Sequence, residues 1–222
     1  MKHKTMLTAI LVFSVIVALI SSCANSSEVK KSNKEIQIEM TDKLWQKVNS
    51  GNTYKVVFLG DSITYAGDFE QVFSEYNCVN LGVAGDFIED VRNRKSMACK
   101  VRPQKLFLMV GINSLHCIDT DVCARQYETL IKDLKLDLPT TKIYIESVLP
   151  TANIYGEYVS NDAINMFNQK LIVLAEKYNL EYIDLNSLYK DGQELNILYT
   201  FDGIHLTPSG YFLWYEKIRE YL

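Results

Sequence analysis

Five short runs, 55–59, 78–81, 105–110, 142–148 and 182–184, are rich in apolar and β-branched residues along their length rather than at alternate positions. A strand with one wet face alternates, so runs of this kind require cover on both faces. Segments with helical spacing lie between them. Tyr127, Leu130, Ile131 and Leu134 form one apolar stripe within 120–136. Ile164, Phe167, Leu171, Leu174 and Tyr178 form another, with Asn161 or Asp162 at its cap. A last helix opens with Thr207 and Pro208 and turns Tyr211, Trp214 and Ile218 inward. Strand and helix in alternation predict an α/β chain, a parallel sheet inside a three-layer α/β/α sandwich. Ligands of such sheets bind outside the carboxyl ends of the strands, where strand order reverses.

Chemistry-bearing residues gather at that edge. Gly60-Asp61-Ser62-Ile63-Thr64, Asn80-Leu81-Gly82-Val83-Ala84-Gly85 and Gly111-Ile112-Asn113 follow the first three runs. Ser62, on a tight turn after a buried strand, is the candidate nucleophile, and Asp61 organises its loop through side-chain to backbone hydrogen bonds. A tetrahedral intermediate carries charge on the former carbonyl oxygen, which needs fixed donors. The candidates are the backbone N–H groups of Ser62 and Gly82 and the side-chain amide of Asn113, while Gly85 reads as an ordinary turn residue. Asp202 stands three residues before His205, a spacing at which the carboxylate can accept the imidazole Nδ1–H and leave Nε2 for the Ser proton. His116 either contacts substrate or is a solvated loop residue. Tyr155 and Tyr158, in the loop after the fourth run, either stack on a sugar ring or pack that loop onto the body.

Together these four segments resemble the SGNH, or GDSL, hydrolase superfamily, from about Lys55 to the C-terminus. Ser62 corresponds to the family nucleophile, Gly82 and Asn113 to its oxyanion donors, and Asp202 with His205 to its Asp-x-x-His pair. The resemblance implies a five-stranded, flavodoxin-like sheet of order 2-1-3-4-5 and an esterase or lipase activity that uses neither metal nor cofactor. One block departs from the pattern: the family's Gly-x-Asn-Asp is here Gly111-Ile112-Asn113-Ser114. A Ser keeps the capacity to hydrogen-bond in the turn, so altered loop rigidity is expected rather than lost chemistry.

The N-terminus reads as an export signal, with Lys2 and Lys4 before an apolar stretch from Met6 to Ile20 and small residues at the cut. Ile20-Ser21-Ser22-Cys23 resembles the lipobox of bacterial lipoproteins, in which the Cys carries acyl chains. Residues 1–22 are thus expected to be a signal peptide, 23–39 a polar tether and 40–222 the hydrolase domain. Cleavage removes two Lys and no acids, moving the net charge from −4 to −6. Such a surface is a poor match for nucleic acid or anionic headgroups, so the membrane is expected to be met only through the lipid anchor. The location implied is exported and membrane-anchored, facing the periplasm or the cell exterior. The sequence specifies no oligomeric state.

Four further thiols remain in a compartment that permits disulfides, and the topology favours Cys78 with Cys99 and Cys117 with Cys123. No His and Cys spacing suggests a closed zinc site. The chain has no insertion large enough for a lid or a long acyl tunnel, so the expected substrate is a small ester, foremost O-acetyl on a glycan. A lysophospholipase or thioesterase of the same mechanism, an acetyltransferase, and a surface-tethered glycan binder without turnover are the alternatives. Cys23→Ser should release the protein from the membrane pellet into the soluble fraction at unchanged specific activity. Retention in the pellet after a salt wash would place the anchor elsewhere.

Overall fold

The computed structural model describes residues 31–222. The expected signal peptide, Cys23 and the start of the expected tether lie outside the described residues, among which no helix is long and apolar enough to cross a membrane. Part of the expected tether is helical instead. Helix α1 (Asn33–Val48) begins at Ser32, whose hydroxyl accepts from Glu35 N–H while the Glu35 carboxylate accepts from Ser32 N–H. This reciprocal capping is encoded by Ser-x-x-Glu. Val48 is buried and Leu44 and Trp45 pack on the core, so this helix, which begins within the expected tether, joins the body through its C-terminal half.

The chain then runs β1 (Val56–Gly60), the short helices α2 (Ser62–Tyr65) and α3 (Phe69–Val72), β2 (Cys78–Gly82), α4 (Ile88–Asn93), α5 (Ser96–Val101) and β3 (Lys105–Met109). It continues with α6 (Ile112–Cys117), α7 (Thr120–Asp137), β4 (Lys142–Glu146), α8 (Asn161–Tyr178) and β5 (Glu181–Ile183). A small antiparallel pair, β6 (Lys190–Asp191) and β7 (Glu194–Leu195), precedes α9 (Pro208–Arg219). The five main strands are parallel in the order β2-β1-β3-β4-β5, as the family resemblance implied. Order reverses between β1 and β3, so Ser62 and Asn113 leave the sheet on the two sides of the switch point.

Register aligns Phe58, Phe107 and Tyr144 across β1, β3 and β4. On this face they form a stacked row, with centroids 5.0 Å apart for Phe58 and Phe107 and 4.6 Å for Phe107 and Tyr144. Phe69 from α3 caps the row at 4.0 Å, and Trp214 from α9 meets Phe69 edge-on at 5.1 Å. The opposite face, including Leu59 and Leu108, lies under the packed helices α4, α7 and α8. Both faces are therefore dry, which explains why the strands do not alternate.

Two local expectations need correction. Ser160, not Asn161 or Asp162, caps α8 by accepting from Ala163 N–H, because the Asn161 amide is committed to both backbone groups of Thr151. The disulfides are also not formed, and Cys78, Cys99, Cys117 and Cys123 are all free. Three of the sulfurs have other partners: Cys78 Sγ faces the Phe73 carbonyl, Cys123 Sγ the Ile118 carbonyl and Cys99 Sγ the Asp137 carboxylate.

Phe58→Ala should lower unfolding stability by ~3–5 kcal/mol, since a ring with rings packed on both sides leaves a cavity that the rigid sheet cannot close. Urea denaturation with unchanged m-value is the check.

Candidate active site

Ser62 is the first residue of α2 and is buried except for a small opening. Asp61 caps that helix, its carboxylate accepting from Ile63 N–H at 3.1 Å. Burial pushes the Asp61 carboxyl up to about 7, against the lowering effect of the Ile63 amide, the nearby His205 and the Gly111 amide. Asp61 thus holds the turn after β1 by a side-chain to backbone hydrogen bond of the kind the sequence suggested.

The loop from Thr200 to Leu206 brings His205 to Ser62. His205 Nε2 lies 3.0 Å from Ser62 Oγ, and His205 Nδ1 lies 2.7 Å from Asp202 Oδ2. The other carboxylate oxygen of Asp202 accepts from the backbone N–H groups of Ile204 and His205 at 2.9 and 2.8 Å. Burial would raise the Asp202 carboxyl, but the hydrogen bond and charge of His205 and these two amides outweigh it and leave it below its ordinary value. A carboxylate that stays ionised sets the tautomer: Nδ1 carries the proton and Nε2 faces the hydroxyl. The loop is fastened from both sides. Thr200 Oγ1 accepts from Gly203 N–H and donates to the His205 carbonyl, while the Gly203 carbonyl accepts from Ala152 N–H at 2.8 Å.

The strand ends beneath are held by a residue that motif reading passed over. Arg94, at the end of α4 and buried, donates to the carbonyls of Gly60 at 2.7 Å and Leu81 at 2.6 Å and to the Asp86 carboxylate at 2.5 Å. Burial raises the Asp86 carboxyl to about 6 despite the Arg94 charge and hydrogen bond. A signal existed: Arg94 lies three residues after Val91 and three before Met97, on the inward stripe, where a charge must have partners.

Gly82 does not fit the donor role expected of it. Its N–H donates to Asn80 Oδ1 at 2.8 Å, and a Cβ there would lie 2.2 Å from Tyr65 N, so Gly82 serves the close approach of β2 and α2. Gly85 instead occupies a turn at φ +81° just beyond the strand, and its N–H has no acceptor among the described residues. Asn113 lies on the first turn of α6. Its Nδ2 donates to the Asp86 carbonyl at 3.0 Å and its Oδ1 accepts from the Tyr158 hydroxyl at 3.2 Å. Ser114, in place of the family Asp, is fully buried and accepts from Ile88 N–H at 2.9 Å, bonding not within its own turn but to the start of α4. His116 and Tyr158 stack on each other, and Tyr155 is 84 % exposed.

A model of GDSL-like lipases and acylhydrolases matches residues 58–213. The chain belongs to that family. This GDSL-like hydrolase shares its fold with a Streptococcus pneumonia protein provisionally named after platelet activating factor, at 24 % identity and TM-score 0.78 over 85 % of this chain and 93 % of that one. A GDSL-like lipase from Bacteroides thetaiotaomicron aligns at 18 % identity and TM-score 0.73, over 82 % and 96 %. An acetyl xylan esterase aligns at 23 % and 0.64, over 76 % and 99 %. No curated protein matches the hydrolase.

Gly203→Ala tests how far the placement of His205 depends on its loop. Gly203 sits at φ +92°, and a Cβ would lie 2.1 Å from the Ala152 carbonyl oxygen. The loop must shift, so kcat should fall by about 10²-fold with stability reduced by ~1–3 kcal/mol.

Proposed function

We propose that this GDSL-like hydrolase is a serine esterase in which Ser62 attacks the acyl carbon, His205 takes its proton and Asp202 holds the imidazole. The observation that carries this reading is the unbroken chain from Ser62 Oγ through His205 to Asp202, at 3.0 and 2.7 Å. After attack the imidazolium returns the proton to the departing alcohol. Water, deprotonated by the same base, then frees the acid. The donors proposed for the oxyanion are Ser62 N–H, Gly85 N–H and one hydrogen of Asn113 Nδ2. Gly85 enters in place of Gly82 because its N–H is uncommitted and the next residue, Asp86, carries the carbonyl that holds Asn113.

The substrate proposed is a small acyl ester, foremost O-acetyl on a carbohydrate. Support comes from the acetyl xylan esterase among the structural relatives and from Tyr155, whose exposed ring stands on the loop that also contacts the base loop through Ala152. Ile197, Leu198 and Phe201, exposed in the segment leading to the base, favour a lysophospholipase or thioesterase as the second reading.

Lipidation at Cys23 is part of the proposal. Gln37, in the second turn of α1, reaches within 3.2 Å of where a Cβ on Gly85 would sit, so α1 enters the body at the catalytic edge. The stretch from Cys23 to Ser32 spans at most ~35 Å fully extended, which would keep the site close to the bilayer surface.

Ser62→Ala should abolish both fluorophosphonate labelling and hydrolysis of p-nitrophenyl acetate, and undiminished turnover would remove the mechanism. Asn113→Ala should lower kcat by ~10²- to 10³-fold with little change in KM. As the base acts unprotonated, kcat/KM should rise with pH along a single-proton curve. A series of p-nitrophenyl esters from acetyl to dodecanoyl, run beside acetylated xylan, separates the two substrate classes.

A further inference from the structure

Tyr158 has a place in the site that neither stacking on sugar nor packing of the loop describes. Its hydroxyl donates to Asn113 Oδ1 at 3.2 Å. One face of its ring is covered by His116, with centroids 4.1 Å apart and planes 1° from parallel. The two residues are joined again along the backbone, where His116 Nδ1 lies 2.7 Å from the Tyr158 carbonyl oxygen. A carbonyl only accepts, so Nδ1 donates. The next residue is also tied down: Thr151 Oγ1 donates to the Val159 carbonyl at 2.8 Å.

A carboxamide has two nearly isosteric orientations, and only one of them points hydrogens at an oxyanion. The Asp86 carbonyl engages one Nδ2 hydrogen of Asn113, but a single contact leaves the amide plane free to rock about χ2. A second anchor on Oδ1 removes that freedom. We propose that Tyr158 is a positioning residue that, through Oδ1, holds the Asn113 carboxamide so that its remaining Nδ2 hydrogen faces the developing oxyanion, with His116 bracing the Tyr158 ring. The inference rests on the oxyanion reading of Asn113 given above. Partial burial raises the Tyr158 phenol, which keeps it a donor through the working range. Electrostatic stabilisation of this kind depends on dipoles that do not reorganise during reaction, so the effect falls on kcat rather than on substrate affinity.

The experiment is a mutant cycle read by kcat and KM for p-nitrophenyl acetate and by the rate of fluorophosphonate labelling of Ser62, which needs the same oxyanion donors whatever the natural acyl group. Tyr158→Phe keeps the ring and its stack and should lower kcat and the labelling rate about tenfold at unchanged KM, the scale of one lost hydrogen bond. In the Asn113→Ala background the same change should cost less than about twofold, because the group it positions is gone. His116→Ala should lower kcat in the native background and not in Tyr158→Phe.

Full activity in Tyr158→Phe overturns the proposal, as does an equal loss in both backgrounds. A raised KM at native kcat overturns it in favour of a substrate platform. Failure of the underlying reading looks different: there Asn113→Ala itself turns over and labels at the native rate. Thermal unfolding of each variant separates these outcomes from misfolding, since a positioning role predicts a native transition for Tyr158→Phe.

Discussion

The guanidinium of Arg94 holds together what the rest of the site is built on. At the carboxyl ends of β1 and β2 the carbonyls of Gly60 and Leu81 are buried, and a carbonyl oxygen has room for more than one donor. Arg94 satisfies both and is neutralised by Asp86. Gly60 also accepts from Val83 N–H, so the residue preceding Asp61 and Ser62 is bound to the loop carrying Gly85. A buried charge of this kind contributes little net stability against an apolar substitute, but it admits one geometry, and removing a partner leaves the other charge uncompensated. Asp86 extends the clamp to the third block, because its carbonyl receives Asn113. Three loops that are far apart in sequence thereby form one rigid floor.

His205, the proposed base, arrives from a separate part of the chain. Glycine at 203 permits the left-handed turn that lets Asp202 accept from the backbone ahead of it and still face the imidazole. That turn rests on Ala152 in the loop after β4, which Asn168 and Asn186 fasten by bonding to both backbone groups of Val148. Ser62 and His205, proposed as nucleophile and base, therefore come from separate parts of the fold, one from the end of β1 and the other from a loop that rests on the segment after β4. The stacked row of Phe58, Phe107 and Tyr144 keeps the strands in register beneath them.

Much of this was legible in the residues. The five strands followed from apolar runs and the three long helices after β3, β4 and β7 from helical spacing, whereas the helix Asn33–Val48 was read in part as tether. Ser62, Asn113, Asp202 and His205 stood out as candidates because their spacing suits the chemistry. The assignments that changed depended on where a polar atom finds its partner. Gly82 and Gly85 are three residues apart on one segment, and nothing in the string says that Asn80 occupies one amide and leaves the other open. Asn161 looked like a helix cap and pairs with Thr151 instead. The cysteines lay in plausible neighbourhoods, yet a disulfide needs Cβ vectors that converge, and the sulfurs of Cys78, Cys123 and Cys99 turn to two carbonyls and a carboxylate.

The sequence by itself determined the layered α/β architecture, the sheet edge at which chemistry gathers and the residue types able to perform it. These rest on local periodicity and on turn chemistry, which act over a few neighbours. Only the tertiary structure decided that Arg94 spans two strand ends, that Ser114 bonds to the start of α4, and that Tyr158 faces Asn113 rather than solvent. Each of these is a hydrogen bond between segments whose distance in the chain bears no relation to their distance in space. Their partners are selected by packing of the whole core, because a buried polar group must take whatever donor or acceptor the fold brings to it.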